Sequence, residues 1–391
     1  MNKFDLIQEE IVELEPCFTT EEVSLDKALN RILQENILAD TDMPPFDKSA
    51  MDGYACKYAD IGSELEILEV VHAGKIPTKV IGKNQCSKIM TGAIVPRGAD
   101  CVFKVEDSEI VGKNKVICTN PKTAKNICYQ GEDYKTGTVL MPKGTIVGVS
   151  QMAVLAGAGY SVVQVSKLPR VALINTGTEL VQPHEKPEGG KIRNSNASQL
   201  ISQLRKLNLS VTNFGIVEDD YKILTRVFKN AFETHDIVFF TGGASVGDFD
   251  WVPKILEDQG FSIFWDRTGI KPGNPMTFSK KGNNYCFGLS GNPVSSLVQF
   301  ELIAKPTLYK LLGANYESLR IQARLNFSTK RKKADRLGIV PVVFNNKGTV
   351  DQIPFNGSAH INALVFANAF LEFPLGETQL QKGQSVYVRP L

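Results

Sequence analysis

The sequence predicts a multidomain protein in which a mostly parallel, three-layer α/β domain is set among small all-β modules. Three observations carry this. The chain has 391 residues, roughly two to three times the usual single-domain length and enough for several separate cores. Between about residues 170 and 312, apolar runs alternate with amphipathic segments in the order strand, helix, strand, helix, the pattern of a parallel sheet covered on both faces. Outside that region the texture is short alternating runs broken by Gly, Pro, Asn and Lys, as antiparallel modules require.

In chain order, SLDKALNRILQ (24–34) places Leu25, Ala28, Leu29, Ile32 and Leu33 on one stripe behind Ser24 as N-cap, which predicts an amphipathic helix. The prolines and aspartates of ADTDMPPFDKS then break it and mark a boundary. From about 64 to 141, LEILEVV, CSKIM, CVFKVED and KVICT read as strands of a small β-module, with GKNK turning between two of them. VGVSQMAVLAGAGYSVVQV reads as a short helix capped by Gly157 and Gly159, then a strand returning to the main body. RVALINTG, SVTNFGIV, DIVFFTGG, FSIFWD and YCFGLS supply the strands of the α/β region. ARLNFST, GIVPVVFNN, GTVDQIPF and QSVYVRP close the chain as one small sheet or barrel.

Composition excludes several function classes. Lys plus Arg total 44 against 42 acidic residues, so net charge gives no reason to expect nucleic acid or an anionic membrane as partner. The basic run KRKKADR (330–336) lies between two strands and reads as a solvated hairpin outside any site. Seven cysteines without a C-x-x-C pair argue against a zinc site or disulfide framework. The acidic start MNKFDLIQEEIVELEP has no apolar leader core, and no apolar run reaches the ~18 residues of a membrane span. A reduced, soluble, cytoplasmic protein is expected.

The chemistry gathers at strand ends, where ligands of such sheets bind. INTGTEL ends one strand with Thr176, Gly177 and Glu179, and GIVEDD ends the next with Asp219 and Asp220. TGGASVGDFD carries Gly242, Gly243, Ser245, Gly247, Asp248 and Asp250, a glycine-rich turn suited to an anion. No P-loop occurs. GLSGNPVSS brings Gly291, Asn292 and Pro293 to the start of a helix, and GIKPGNP adds Lys271 on a Gly/Pro loop. Carboxylates alone would repel a phosphate, so Lys271 and a Mg²⁺ held by one or two carboxylates plus phosphate oxygens are expected. Outside the α/β region, PPFDKSAMDGYA holds Asp47, Ser49 and Asp52, and IMTGAIVPRGAD holds Thr91 and Gly92.

Taken in order and spacing, PPFDKSAMDGYA, IMTGAIVPRGAD, QGEDY, NTGTEL, TGGASVGDFD, IKPG and GNPVSS resemble the molybdopterin molybdotransferase family, which includes the carboxy-terminal part of gephyrin. The resemblance spans essentially the whole chain. It implies insertion of molybdate into adenylylated molybdopterin with release of AMP, the metal being held by the dithiolene sulfurs. The implied division is an elongated first domain (1–46 and 142–169), an inserted β-domain (47–141), an adenylyltransferase-like α/β domain (170–315) and a C-terminal β-barrel (316–391). Homodimers with a cleft between the α/β domain of one subunit and the first two domains of the other are also implied, as are molybdopterin adenylyltransferase and molybdoenzyme chaperones as partners.

Position by position, the resemblance assigns catalysis to Asp52, Asp133, Glu179, Asp219, Asp250 and Lys271. Glu179, Asp219 and Asp250 would hold the metal. Thr91, Gly92, Thr176, Gly177, Gly242, Gly243, Ser245, Gly247, Pro272, Gly273, Gly291, Asn292 and Pro293 would bind the pterin substrate. The chain departs from the commoner pattern at Cys128 and Tyr129 (arginines), Thr178 (Asp), Asn274 (Lys) and Ser290 (Pro), and FWDRTGIKPG is one residue longer. Positive charge lost near the anion site makes Arg267 the candidate replacement. The adenylyltransferase step itself, and a non-catalytic carrier or scaffold, are the competing readings on the same fold.

Overall fold

The structure, a computed structural model, describes residues 2–243 and 250–391. The chain divides into two compact units: Met1–Glu35 with Lys143–Met152 and Val162–Leu391, and Asn36–Pro142 with Ala153–Ser161.

The larger unit is organised around a six-stranded sheet. Its strands and helices in chain order are β1 (Val171–Thr176), α1 (Ser195–Lys206), β2 (Val211–Val217), α2 (Tyr221–Thr234), β3 (Ile237–Thr241), α3 (Val252–Asp258), β4 (Ser262–Arg267), β5 (Pro275–Lys281), β6 (Asn284–Leu289) and α4 (Pro293–Gln299). The spatial order is β2-β1-β3-β6-β5-β4. β2, β1, β3 and β6 are parallel, β5 runs antiparallel to β6, and the edge strand β4 pairs antiparallel with β5.

Strand periodicity explains the three layers, because successive residues face opposite sides. Val171, Leu173, Ile237, Phe239, Tyr285 and Phe287 point to one face, where α1 and α4 supply Leu200, Leu204, Val294 and Val298. Ala172, Ile174, Val238, Phe240 and Cys286 point to the other, covered by Leu224, Phe228, Ala231 and Ile255 of α2 and α3. Polar alternation is absent because neither face is solvated. The N-terminal helix Lys3–Glu13, closed by a capping box between Asn2 and Asp5, adds Phe4, Ile7 and Ile11 to the first face.

The C-terminal strands β7 (Ile321–Leu325), β8 (Leu337–Phe344), β9 (Thr349–Gln352), β10 (Ala369–Phe373) and β11 (Ser385–Pro390) close into a five-stranded barrel. Pairing runs β8-β9-β7-β11-β10 and returns from β10 to β8. The multidomain architecture of α/β sheet, β-module and barrel therefore agrees with the fold class read from the sequence.

The smaller unit contains the β-module, a sheet of Cys101–Lys104, Gly53–Cys56, Gln85–Ile89, Glu64–Val71, Lys115–Cys118 and Ser108–Ile110 in that spatial order. All seven cysteines of the chain are free. No helix among the described residues is long and apolar enough to cross a membrane.

One expectation fails. Residues 24–34 do not form an amphipathic helix: Ser24 ends a strand, and only Leu25–Lys27 makes a 3₁₀ turn, without a side-chain cap at Ser24. Asn30 adopts φ +60°, which no helix continues, and Ile32 and Leu33 bridge to Ile146 and Val165. The apolar stripe is satisfied by strand-type pairing instead.

Phe228 is fully buried and rings Phe232, Phe240 and Phe261 at 5.1–5.4 Å. Phe228→Ala is expected to destabilise the α/β region by about 3–5 kcal/mol through lost burial and a cavity. Chemical denaturation followed by near-ultraviolet circular dichroism checks this; a loss under about 1 kcal/mol, the range of conservative core swaps, would show that the aromatic cluster does not hold the layer.

Candidate functional site

A cleft of about 1300 Å³ lies in the larger unit between the carboxyl ends of the parallel strands and one mouth of the barrel. It brings together Thr176, Gly177, Glu179, Asp219, Gly242, Gly243, Asp250, Lys271, Pro272, Gly273, Gly291, Asn292 and Pro293, thirteen of the positions singled out from sequence. Ser245 and Gly247, with Asp248, lie outside the described residues.

Close packing of strand ends makes this edge. Gly242 has φ +89°, and a Cβ there would stand 2.4 Å from the carbonyl oxygen of Thr176. Only glycine lets the end of β3 pass β1 so closely. The Gly242 N–H donates to the Leu289 carbonyl at the end of β6 (3.0 Å). Three neighbouring strand ends are thereby fastened.

Asp219 is held by its neighbours. Its carboxylate accepts from the Thr176 hydroxyl and from the Thr178 N–H (3.1 Å), and its carbonyl accepts from Trp251 Nε1 (3.2 Å). Asp220, next to it, is the N-cap of α2, receiving the Ile223 N–H at 2.9 Å. Of two adjacent aspartates, one caps a helix and one faces the cleft. The Asp219 carboxylate keeps further acceptor positions after two bonds, and Glu179 and Asp250 line the same space. Among the described residues, no three His, Cys, Asp or Glu side chains gather where they could hold a metal ion, so Glu179, Asp219 and Asp250 do not form a metal site by themselves, and a divalent ion here would need most of its shell from ligand oxygens.

The Lys271 loop is ordered from within. The Thr268 hydroxyl donates to Gly273 O (2.8 Å), and Asn274 Oδ1 accepts the Gly269 N–H (3.1 Å). Asn274 thus caps its own loop where a lysine would project charge. Ile270–Lys271 pairs in parallel with Leu337–Gly338 of β8, which joins this loop to the barrel.

Facing the strand ends, the barrel contributes Thr329, Lys330, Arg331, Lys332, Lys333 and Arg336 to the cleft. The run is solvent-exposed at Lys330, Lys332 and Lys333, as a solvated hairpin would be, but it lines the cleft instead of standing apart from it. Arg331 gives its guanidinium donors to the carbonyls of Pro374, Arg336 (2.7 Å) and Glu377 (2.8 Å) and stacks 4.5 Å over Phe373. Anchored this way, the segment turns exposed Lys330, Lys332 and Lys333 toward the cleft. Arg267, the replacement expected from sequence, is not among the cleft residues. Nothing local in the sequence announces this wall, since it depends on the pairing of β8 with the Lys271 loop.

In the smaller unit, Asp52 Oδ1 accepts from both the N–H and hydroxyl of Thr91 (2.7 Å each), and Gly92 N–H donates to Ser49 O (2.8 Å). The segments around 47 and 130 are linked by Gln130 N–H to Asp47 Oδ1 (2.8 Å), and Met43 bridges Tyr134, next to Asp133. Asp52 and Thr91 thus meet directly.

A parallel sheet edged by glycine, with a cleft at its carboxyl ends faced by lysines of the barrel, is the arrangement of an α/β protein that takes a small molecule at its strand ends. Residues 3–159 match the MoeA N-terminal region (domain I and II), 172–310 a probable molybdopterin binding domain and 322–391 the MoeA C-terminal region (domain IV). The chain belongs to the molybdopterin molybdenumtransferase family, as its motifs indicated. It is 35% identical over 374 residues to the molybdopterin molybdenumtransferase of Staphylococcus aureus strain Mu50, covering 93% of this chain and 89% of that one. The Staphylococcus epidermidis RP62A protein of the same name is 35% identical over 94% and 90%. The molybdopterin biosynthesis moeA protein of Pyrococcus horikoshii OT3 superposes with a TM-score of 0.84 at 28% identity, over 100% of both chains.

The two donors of Thr91, the backbone N–H first, hold the Asp52 carboxyl below the ordinary carboxylate range. A folded pKa below the unfolded one means that this stabilisation is present above the unfolded value and is lost as pH falls through the folded value. Thr91→Val keeps the N–H and removes the hydroxyl, so Asp52 should titrate at higher pH than in the wild type. Carbon-13 NMR of labelled aspartate reads this directly; an unmoved midpoint would mean that the hydroxyl bond is not formed in solution.

Proposed function

We infer that the protein inserts molybdate into adenylylated molybdopterin, releasing AMP and leaving molybdenum on the dithiolene sulfurs. The observation that carries the reading is the charge arrangement of the cleft, with Glu179, Asp219 and Asp250 at the strand ends and Lys271, Lys330, Lys332 and Lys333 around them. A pyrophosphate-linked nucleotide needs cationic donors along its oxygens and a means of stabilising charge on the departing AMP. The ammonium groups serve both, and the glycine-rich turns allow close approach of the ligand. No nucleophilic side chain is required.

Mg²⁺ held by Glu179, Asp219 or Asp250 together with substrate oxygens would neutralise the pyrophosphate. The protein's own residues do the remaining work: Asp219, braced by Thr176 and Thr178, holds a carboxylate at the sheet edge, and Lys271 sits on a loop paired with the barrel strand β8. Asp52, Asp133, Thr91 and Gly92, on the other unit, are assigned to the same reaction by the sequence resemblance. We place the enzyme in the cytoplasm as a homodimer, for which light scattering should give about twice the 43.0 kDa chain mass; a monomer with full activity would overturn the dimer.

Purified protein incubated with adenylylated molybdopterin, Mg²⁺ and molybdate should release AMP and form active cofactor. Without molybdate-dependent AMP release the reading fails. In the same assay, replacing Lys330, Lys332 and Lys333 with serine should raise KM for the adenylylated substrate at least ~10-fold, equivalent to about 1.4 kcal/mol, and flatten its dependence on salt. A KM within about twofold of wild type would return the run to the role of a solvated hairpin.

A further inference from the structure

We propose that Gln299 is a positioning residue for this reaction, a buried carboxamide that holds the Lys271 loop and the 290–293 turn in one fixed relation. Gln299 ends α4 and is fully buried. Its Nε2 donates to the carbonyl of Gly273 (3.0 Å) and to that of Pro275, while its Oε1 accepts the Ser290 N–H at 2.8 Å. Both donor hydrogens and an acceptor oxygen are engaged, and the partners lie on the two loops that frame the cleft. The strands these loops extend, β5 and β6, pair directly from Thr277 and Gly288 onward, and the Gln299 side chain joins the loops beyond that pairing.

The surroundings make the amide more than a filler. A Cβ at Gly273, which has φ +106°, would come within 3.1 Å of the Gln299 side chain, so the loop lies directly against it. A second amide, Asn196 Nδ2, donates to Gly291 O (2.8 Å) from the opposite side, and Gln199 Nε2 donates to Pro293 O (3.1 Å). The 290–293 turn is therefore held by carboxamides on two helices, but only Gln299 continues to the Lys271 loop. That loop in turn pairs with β8. Beyond the β5–β6 pairing, this side chain ties the sheet edge to the loop that meets the cationic wall.

The arrangement depends on residue 290 having an N–H. Proline at that position would have none and would leave Oε1 buried without a donor, a costly state in a dry interior. Ser290 and Gln299 therefore form a matched pair, in a family where the sequence resemblance places proline at 290. A substitution at one should be felt at the other's loop.

The inference rests on the proposed molybdotransferase reaction, and its test separates the two. Gln299→Met keeps volume and removes every bond; Ser290→Pro removes the N–H, with Ser290→Ala as the reference for the lost hydroxyl. Peptides covering 268–275 and 288–294 would be followed by hydrogen-exchange mass spectrometry, alongside kcat and KM for AMP release. Gln299→Met should speed exchange in both peptides and raise KM for the adenylylated substrate at least ~10-fold.

Ser290→Pro should loosen 268–275 relative to Ser290→Ala, although residue 290 is remote in sequence from that loop. In the Gln299→Met background, Ser290→Pro and Ser290→Ala should differ at least ~5-fold less in kcat/KM than in the wild-type background. Additive effects, or unchanged exchange in 268–275 on Ser290→Pro, would overturn the pairing. A variant that only lowers the folded fraction would reduce kcat with KM unchanged, which also overturns positioning. Should the wild type release no AMP, the functional reading fails while the exchange experiment still decides the clamp. If Gln299→Met does not fold, Gln299→Glu, which keeps the acceptor for Ser290 and loses both donors, should loosen 268–275 and leave 288–294 closer to wild type; equal loosening of both peptides would count against the proposal.

Discussion

Parallel strands hydrogen-bonded in register can end only on one edge of their sheet, and that constraint organises the larger unit. β2, β1, β3 and β6 are separated in sequence by helices, yet pairing brings Val217, Thr176, Thr241 and Leu289 to a common boundary. Whatever follows those residues must share a small volume. Glycine at 242 is the consequence of that crowding, since the backbone of β3 would otherwise collide with Thr176. The carboxylates collect there for the same topological reason.

The barrel supplies what the sheet edge lacks. Backbone turns and aspartates cannot by themselves hold a polyanion, because like charges at short range repel even where solvent screens them. The lysines of 330–333 and Lys271 oppose them across the cleft. Their placement rests on backbone carbonyls and not on counter-charges: a guanidinium satisfied by three carbonyls at Arg331, and a two-residue strand pairing at Ile270–Lys271.

Most of the fold was legible because it is written in periodicity. The β-runs that lack polar alternation, the helices between them and the glycine and proline punctuation all reflect local burial. Sequence reading failed at 24–34, where a helical stripe of apolar residues is used by two strand bridges and a left-handed Asn30. At the site, Thr176, Glu179, Asp219 and Gly242 were legible because their types are unusual at strand ends. Lys330–Lys333 were not, because a basic run looks the same whether it faces water or a ligand; its location depends on pairing between residues far apart in sequence, Lys271 with Gly338. Gln299 was hidden inside a helix pattern, with buried Ser295 and Ser296 beside it as the only sign that α4 presents a polar surface inward.

The closed barrel has a consequence for how such a protein changes over generations. Because β10 returns to β8, no strand has an open flank, and the loops between strands can alter composition without exposing a ladder to mispairing. Asn274 and Cys128 hold neutral side chains where the family resemblance expects cations, while the barrel loop carries an excess of them. The cleft of the larger unit thus draws much of its positive charge from a barrel loop, where exposed Lys330, Lys332 and Lys333 can change while every strand of the closed ladder stays paired.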